Sequence, residues 1–581
     1  MHDRVFPRWL PLVLALIHAG AAAQDLAFED RTEAARLAGV TGYGVAVADY
    51  DGDGWDDLLV TTATGGVRLF HNEGNLTFTD RTGEAGLPSD GRYFVPLWGD
   101  VDNDGFPDLF LGRKGTGTNR LFHNQGNGTF VDRAAPAGLA PEADVAAATF
   151  GDYDGDGWID LFLAVEQTGD LLYHNLTSDG VLRFEDQSGR AGVAGPAYAV
   201  PMQATWLDVN HDARPDLFAV HDGAVASRLY LNEGFLPLRD VAHETGLDDV
   251  GAGNSMGIAW GDIDHDGWEE VYVTRIGRAG LYRQPGDGVF TDEAVERGVD
   301  RNGMAWGAVL ADFDNDADLD LYVVNTSGYD GSPAFLYAND GTGHFTERAA
   351  AAGVALVADA YGVATADFDR DGRVDLVVGA GNGVRLYRNT SPSGGHWVAL
   401  RLEGRTVNRM ALGTRVEVVA GGRRQTRTVS GGDSFCSQTS PTLHVGLGSA
   451  TRIDTLHIYW GAGRVQTLTD LDADRLHTLL EPITATATEP LPDDTALQLL
   501  PGHPNPSHGE TTLAFTLPAP SDVRLTLHDL LGRTVAVIAE GTYPAGLHRI
   551  TFGTANLPAG VYLTRLRAGA HLRRGSLILV R

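Results

Sequence analysis

One acidic motif occurs seven times in the chain at intervals near fifty residues, and few folds accommodate that. The copies begin at Asp49, Asp100, Asp152, Asp208, Asp262, Asp312 and Asp367, spaced by 51, 52, 56, 54, 50 and 55 residues. A near-constant period of this size marks a repeat architecture in which each unit stacks on the next. Every period has the same parts. In the first, an apolar run at 43–48 leads into the acidic loop, and short apolar segments follow at 58–60, 67–70 and 76–79. Four short strands per period, joined by glycine-rich turns, make a propeller blade. The predicted fold is therefore all-β: a seven-bladed β-propeller over 24–395, a small β domain over 396–481, a linker over 482–496 and an Ig-like β-sandwich over 497–581.

The first strand of each blade supports the ring independently. Counting back six, four and two residues from each first Asp gives mostly large side chains, such as Tyr43, Val45 and Val47, or Met256, Ile258 and Trp260. Counting back five, three and one gives mostly Gly, Ala and Thr; Val95 and Leu97 in blade two break the rule. Strand residues alternate between faces, so a large face packs on a small face of the next blade at core density. Phe28-Glu29-Asp30-Arg31 repeats the fourth-strand pattern of Phe78-Thr79-Asp80-Arg81 but precedes blade one. It is expected to complete blade seven and remove two open sheet edges.

The loop reads D-x-D-x-D-G-x-x-D, first as Asp49-Tyr50-Asp51-Gly52-Asp53-Gly54-Trp55-Asp56-Asp57. Hard oxygen ligands at alternate positions wrap a Ca2+ ion, as in the EF-hand, where position seven lends a backbone carbonyl. Here position nine closes the shell. Mg2+ fits less well, because it demands tight octahedral geometry and keeps its waters. The candidate ligands are Asp49, Asp51, Asp53 and Asp57 in loop one, and Asp100, Asp102, Asp104 and Asp108 in loop two. Loop three offers Asp152, Asp154, Asp156 and Asp160, and loop four Asp208, Asn210, Asp212 and Asp216. Loop five offers Asp262, Asp264, Asp266 and Glu270; loop six Asp312, Asp314, Asp316 and Asp320; loop seven Asp367, Asp369, Asp371 and Asp375. Up to seven Ca2+ ions follow, one per blade.

Position six is glycine in five copies, which suits a sharp turn with positive φ. Loops four and six carry Ala213 and Ala317 there. A left-handed non-glycine residue costs roughly 1 kcal/mol. Loop four also has Asn210 and therefore one charge fewer, so it is expected to bind calcium most weakly. Asp208→Ala should remove less calcium binding in calorimetry than Asp152→Ala.

The formal net charge is −33, which argues against nucleic acid as a partner, since phosphates need a basic surface. Because 27 of the 28 candidate ligand positions are carboxylates, part of this acidity is cation-binding composition. Arg4 and Arg8, the apolar stretch 9–19 and Ala21-Ala22-Ala23 predict a signal peptide over 1–23. No other stretch reaches ~20 apolar residues, so no transmembrane span is expected. With one cysteine, Cys436, an exported chain has no internal disulfide; the thiol is expected to be a small buried hydrophobe.

With these loops, residues 42–395 resemble the integrin-α-type propeller of the FG-GAP/VCBS repeat family. The resemblance implies calcium between the first two strands of each blade, all loops on one face, ligands on the other, and a role in adhesion or protein binding. After the ring come His396-Trp397-Val398, Asn408-Arg409-Met410, Ser430-Gly431-Gly432, Ser437-Gln438 and Ile458-Tyr459-Trp460. This string is similar to the ASPIC/UnbV domain, which follows such propellers in the cartilage acidic protein family. Near the C-terminus, Asn505-Pro506, Leu531-Gly532-Arg533 and Ala559-Gly560-Val561-Tyr562 resemble the C-terminal sorting domain of type IX secretion cargo, itself similar to FlgD Ig-like domains. That implies a bacterial source, the secretion machinery as a partner, and a secreted or outer-surface location.

No catalytic residues are expected. Gly253-Asn254-Ser255-Met256-Gly257 fits G-x-S-x-G, but a nucleophile elbow needs a strand-to-helix turn, and this segment enters a first strand. His71, His123 and His174 share one repeat position, which marks them as structural. The favoured function is a calcium-binding surface or secreted adhesion module with a protein or glycan ligand on the face opposite the loops. The alternative is a carbohydrate-active enzyme or its glycan-binding accessory protein. Tyr43, Phe94, Met202, Met256, Trp306 and Tyr361 either line the channel mouth on that face or fill the core, and the connections 83–92 and 134–144 would border it.

Overall fold

Each acidic loop is the hairpin between the first two strands of a four-stranded antiparallel sheet. In blade one these strands are Gly42–Ala48, Asp57–Thr62, Val67–Asn72 and Phe78–Asp80, paired in chain order. In this computed structural model the described residues are 26–482, apart from 116, 140–141, 179, 196–198, 224, 249–252, 287, 393 and 462. Of the C-terminal region they are 498–499, 510–517, 520–528, 533–543, 546–554, 557–558, 560–568 and 571–579. The expected signal peptide, nearly all of the linker, and the Asn505-Pro506 and 529–532 segments lie outside them. Blades two to six repeat the pattern from Tyr93–Gly99, Val145–Gly151, Val200–Leu207, Ser255–Gly261 and Asn302–Ala311. One-turn helices capped by left-handed glycines, such as Ala134–Ala137 before Gly138, follow the fourth strand in these five blades.

Blade seven supplies three strands, Ala360–Ala366, Asp375–Ala380 and Arg385–Asn389, and the N-terminal strand Phe28–Asp30 is its fourth. The expected closure is therefore present. Arg31 N donates to Leu386 O, and Thr390 N to Ala27 O, both at 2.8 Å. The Phe28 ring packs edge-on to Phe313 of blade six at 5.5 Å. Removing residues 26–31 should open the edge at Arg385–Asn389. A lower melting temperature and concentration-dependent association in size-exclusion chromatography are the expected outcomes; an unchanged melt would contradict the closure.

Apolar clusters bridge neighbouring blades. Val45, Val47, Leu58 and Phe78 of blade one pack with Ala364, Phe368, Val377 and Leu386 of blade seven, and blades five and six share an equivalent cluster around Tyr272, Leu321 and Tyr337. One detail departs from simple alternation. All seven first strands carry a β-bulge, which skips Tyr43, Phe94, Ala146, Met202, Met256, Trp306 or Tyr361. A bulge inserts an unpaired residue and re-aims its side chain. The residue six before each Asp therefore leaves the inter-blade face on which alternation placed it.

The second β domain joins a three-stranded sheet (Leu443–Gly448, His396–Glu403, Arg475–Leu480) to a four-stranded one (Arg423–Thr428, Arg415–Ala420, Arg452–Gly461, Arg464–Asp472). It belongs to the same compact unit as the ring, residues 1–486. Its segment 430–440 folds back on itself and enters the channel from the loop end. Phe150 N donates to Gly431 O at 3.0 Å on one limb, and Ser440 N to Thr365 O at 3.1 Å on the other. Gln438 exchanges backbone bonds with Val45 and Val47 at 3.0 Å each, and its side chain bonds both Trp98 N and Trp98 O at 2.6 and 3.0 Å. A Ser434–Ser437 turn places Phe435 and Cys436 at the tip, with Cys436 left-handed at φ 51°. Cys436 is buried, as the sequence suggested, but in the channel of the ring.

The second compact unit, 487–581, contains one sheet of Gln498–Leu499, Glu510–Leu517 and Gly546–Gly553 and another of Thr534–Tyr543, Ser521–His528, Gly560–Ala568 and His571–Leu579. Leu513, Phe515, Leu525 and Leu566 form its core.

Candidate metal centres

The conformation of the loop follows from its glycine pattern. Position six is left-handed in every copy, from φ 98° at Gly105 to 64° at Ala213, with 84° at Ala317. Loops four and six thus hold the strained alanines expected of them. Position four is left-handed too, including Asn103, His211, His265, Asn315 and Arg370, which alternation of ligands does not foretell.

Position nine anchors each loop. Asp57 accepts N–H groups from Tyr50 at 3.2 Å and Asn72 at 2.8 Å. Asp108, Asp160, Asp216, Asp320 and Asp375 make the same pair of bonds, and Glu270 keeps the one from Ile263. Burial is the main cause of raised pKa values here. It pushes Asp57 and Glu270 up to about 9 and Asp160 and Asp216 to about 8, and it holds Asp108, Asp320 and Asp375 well above the ordinary carboxylate range. Neighbouring loop carboxylates add to the effect. Such a set does not ionise fully without a positive charge at its centre, and a divalent ion reverses the balance.

The donor set fits Ca2+. Ligand oxygens of Asp49, Asp51 and Asp53, and of Asp100, Asp102 and Asp108, lie within 4.8 Å of one another. Asp49 Oδ1, Asp102 Oδ1, both oxygens of Asp262, Glu270 Oε1 and Asp369 Oδ1 are buried without a hydrogen-bond partner. Buried carboxylate oxygens normally have partners, and hard anionic oxygens grouped this closely match calcium coordination.

The third strand contributes two residues whose roles were not legible. The first faces the loop and differs between blades. His71 lies 3.1 Å from Asp51, His123 2.9 Å from Asp102 and His174 3.1 Å from Asp160, and the bond to Asp160 raises His174 to about 9. Blades five and seven have arginine there. Arg283 forks across Asp264 and Asp266 at 2.9 and 2.5 Å, and Arg388 across Asp369 and Asp371 at 2.7 and 2.8 Å. The next residue is an amide. Asn124, Asn175, Asn232, Gln284, Asn339 and Asn389 each donate to the position-two carbonyl of the preceding blade, and Asn72 to Phe368 O of blade seven at 2.9 Å. The recurrence of Asn after His or Arg was the available signal.

The two ends of the channel differ. The second β domain lies over the loops: Arg401 reaches Asp49 at 3.2 Å, Arg423 reaches Asp318 at 2.8 Å, and Arg409 N donates to Asn103 at 2.7 Å. At the other end Tyr43, Phe94, Trp306 and Tyr361 are half-buried and touch in a chain of ring contacts of 5.0 to 5.8 Å, with Phe435 beneath Phe94 and Trp306. Met202 and Met256 are buried. Ser255 of the G-x-S-x-G segment is buried at the start of a strand, so no strand-to-helix elbow forms.

Comparison with known proteins matches residues 404–486 to "ASPIC and UnbV" and 503–579 to "Secretion system C-terminal sorting domain". The latter marks an exported bacterial protein, secreted or held at the cell surface, and among the described residues no helix is long and apolar enough to cross a membrane. The chain is 24% identical over 449 residues to cartilage acidic protein 1 of Xenopus tropicalis, covering 73% of this chain and 62% of that one. It is 28% identical over 217 residues to the Mus musculus protein, covering 36% and 31%. It is 31% identical over 159 residues to human integrin alpha-7, covering 25% and 13%. It thus spans from about a third to three-fifths of the length of the cartilage acidic proteins. The solved structure of BBS1N in complex with ARL6DN aligns over 64% of this chain and 98% of its own, with a TM-score of 0.40 and 10% identity. Overlapping matches to the "FG-GAP-like repeat" run over 49–111, 100–163, 152–219, 208–273, 262–323 and 318–378, more than half of the sequence, and the chain belongs to that family.

Proposed function

We propose that the protein is an exported, calcium-stabilised propeller that presents the face opposite its acidic loops to a protein or glycan at the cell surface. The observation that carries this reading is the asymmetry of the ring. Its loop face is covered by the chain's own second β domain, while four half-buried aromatic rings converge at the far mouth. Aromatic side chains combine apolar area with a polar edge and dominate many recognition surfaces. Trp306 is held in place by a 2.7 Å bond from its Nε1 to Thr326. Capture of glycans and surface proteins on an array should fall in Trp306→Ala and Tyr361→Ala, with the melt preserved. Capture unaffected by either change would sink the proposal.

Calcium would be held by the side-chain oxygens at positions one, three, five and nine of each loop, all carboxylates except Asn210, and would fix the hairpin they span. The sites are not equivalent. In loop five Arg283 and Arg297, and in loop seven Arg388 and Arg373, already pair with the position-three and position-five ligands, and Arg214 pairs with Asp212 in loop four. Arg388→Ala should raise calcium affinity at loop seven roughly fivefold, or about 1 kcal/mol. Calorimetry checks this. An unchanged or weaker isotherm would show that the guanidinium does not compete with the ion.

A further inference from the structure

A partly enclosed cavity of about 380 Å³ lies between the loop face of the ring and the second β domain. Small-molecule sites begin at roughly 300 Å³. Trp260, Asp56 and Arg370 come from the ring, and Trp397, Arg427 and Asp433 from the second domain. Arg427 is set deep in the protein, yet keeps partial exposure because it faces this cavity. Its Nη1 and Nη2 donate to Thr426 O and Gln425 Oε1 at 2.8 and 2.9 Å, and its Nε has no partner. Among the described residues no carboxylate oxygen forms an ion pair with it. Asp312, Asp262 and Asp318 offset its charge electrostatically without a direct bond, so its hydrogen-bond partners are neutral and Nε is left unmet. Asp56 accepts from Ser440 at 2.7 Å through Oδ2, while Oδ1 has no partner. Asp433 accepts Thr439 N at 2.9 Å through Oδ1.

This lining discriminates between ligand classes. A free anion would meet Asp56, Asp433, Glu269 and the loop ligands Asp312 and Asp367, and a metal ion in the cavity, outside the loops, would meet Arg427 and Arg370. An apolar molecule would leave Arg427 Nε and Asp56 Oδ1 without partners. A polyhydroxylated ring can donate to the carboxylates, accept from the guanidiniums and lay its C–H surface on indole. We propose that the cavity binds a saccharide of one or two pyranose rings. The site uses no residue of the far mouth, so it stands or falls separately from the recognition surface proposed above.

The test titrates the full chain, in calcium-containing buffer, with glucose, galactose, mannose, N-acetylglucosamine, cellobiose and maltose, followed by calorimetry and saturation-transfer NMR. At least one sugar should bind the wild type at a single site. Arg427→Met and Trp260→Ala should each weaken it about tenfold or more, while Trp306→Ala at the opposite mouth leaves it unchanged. If Arg427→Met fails to fold, Asp433→Asn, which retains the oxygen facing Thr439, takes its place. No binding across the panel, a loss below about threefold in both variants, or a loss confined to Trp306→Ala overturns the proposal.

Discussion

Excess EDTA should lower the melting temperature of the protein by ~10 °C or more. A ligand present at ten to a hundred times its Kd stabilises a site by about 1.4–2.7 kcal/mol. Several such sites acting on one cooperative ring exceed the stability margin of an ordinary domain. The effect should depend on pH in a defined sense. In the metal-free protein Asp57, Asp160, Asp216 and Glu270 titrate near 8–9, far above the ordinary carboxylate range. Between about pH 4.5 and 8 the folded state therefore binds more protons than the unfolded chain, so metal-free stability is full at the acid end and falls as pH rises through that window. Calcium needs the ionised form, so its affinity rises over the same window. The gap between melts with calcium and with EDTA should widen from pH 5 to pH 8. A constant gap, or a melt indifferent to EDTA, contradicts the calcium reading.

Phe435→Ala should cost about 3–5 kcal/mol, the usual range for removing a buried phenylalanine. The ring is 2% exposed and packs against Trp306 at 4.8 Å and Phe94 at 5.8 Å. Its loss leaves a cavity where Phe94 of blade two and Trp306 of blade six meet through the hairpin tip. Gly431→Ala attacks the same element at its entrance, since a Cβ there would stand 2.0 Å from Phe150 O. Both variants should expose 430–440 to proteolysis while the blade hydrogen bonds persist. A cost below about 1 kcal/mol for Phe435→Ala would mean that the hairpin contributes little to holding the two domains together.

Much of the ring was legible because its signals are local and repeated. The position-six turn was foreseen from Gly54 and its equivalents, down to the strained Ala213 and Ala317. The closing strand was foreseen because Phe28-Glu29-Asp30-Arg31 copies a pattern that already had a place in the blade. The missed features depend on partners distant in sequence. Nothing near Gln438 announces that it bonds a tryptophan backbone 340 residues away. The amide at Asn124 matters because Tyr50 O of another blade needs a donor. For Tyr43 and Trp306 the sequence left the channel mouth and the core both open, and the bulges turn them from the face on which strict alternation places a side chain. At the candidate metal centres the repeated ligand types were legible. The arginines of blades five and seven were not, because they lie 17 to 19 residues downstream of the aspartates they meet.

The closure sets how the chain would respond to tension applied between its two ends. The N-terminal strand runs antiparallel to its partner, with Phe28 opposite Asn389 and Asp30 opposite Tyr387. The incoming chain at Ala27 and the outgoing chain at Thr390 therefore leave from the same end of the ladder. Pulling these ends apart loads the hydrogen bonds one after another, like a zipper. In the second β domain, His396–Glu403 runs parallel to Arg475–Leu480, with Val398 opposite Arg475 and Glu403 opposite Leu480. Force entering at the start of the first strand and leaving at the end of the second shears all of those bonds together. Under load the ring should peel open at its N-terminal strand while the domain behind it still holds.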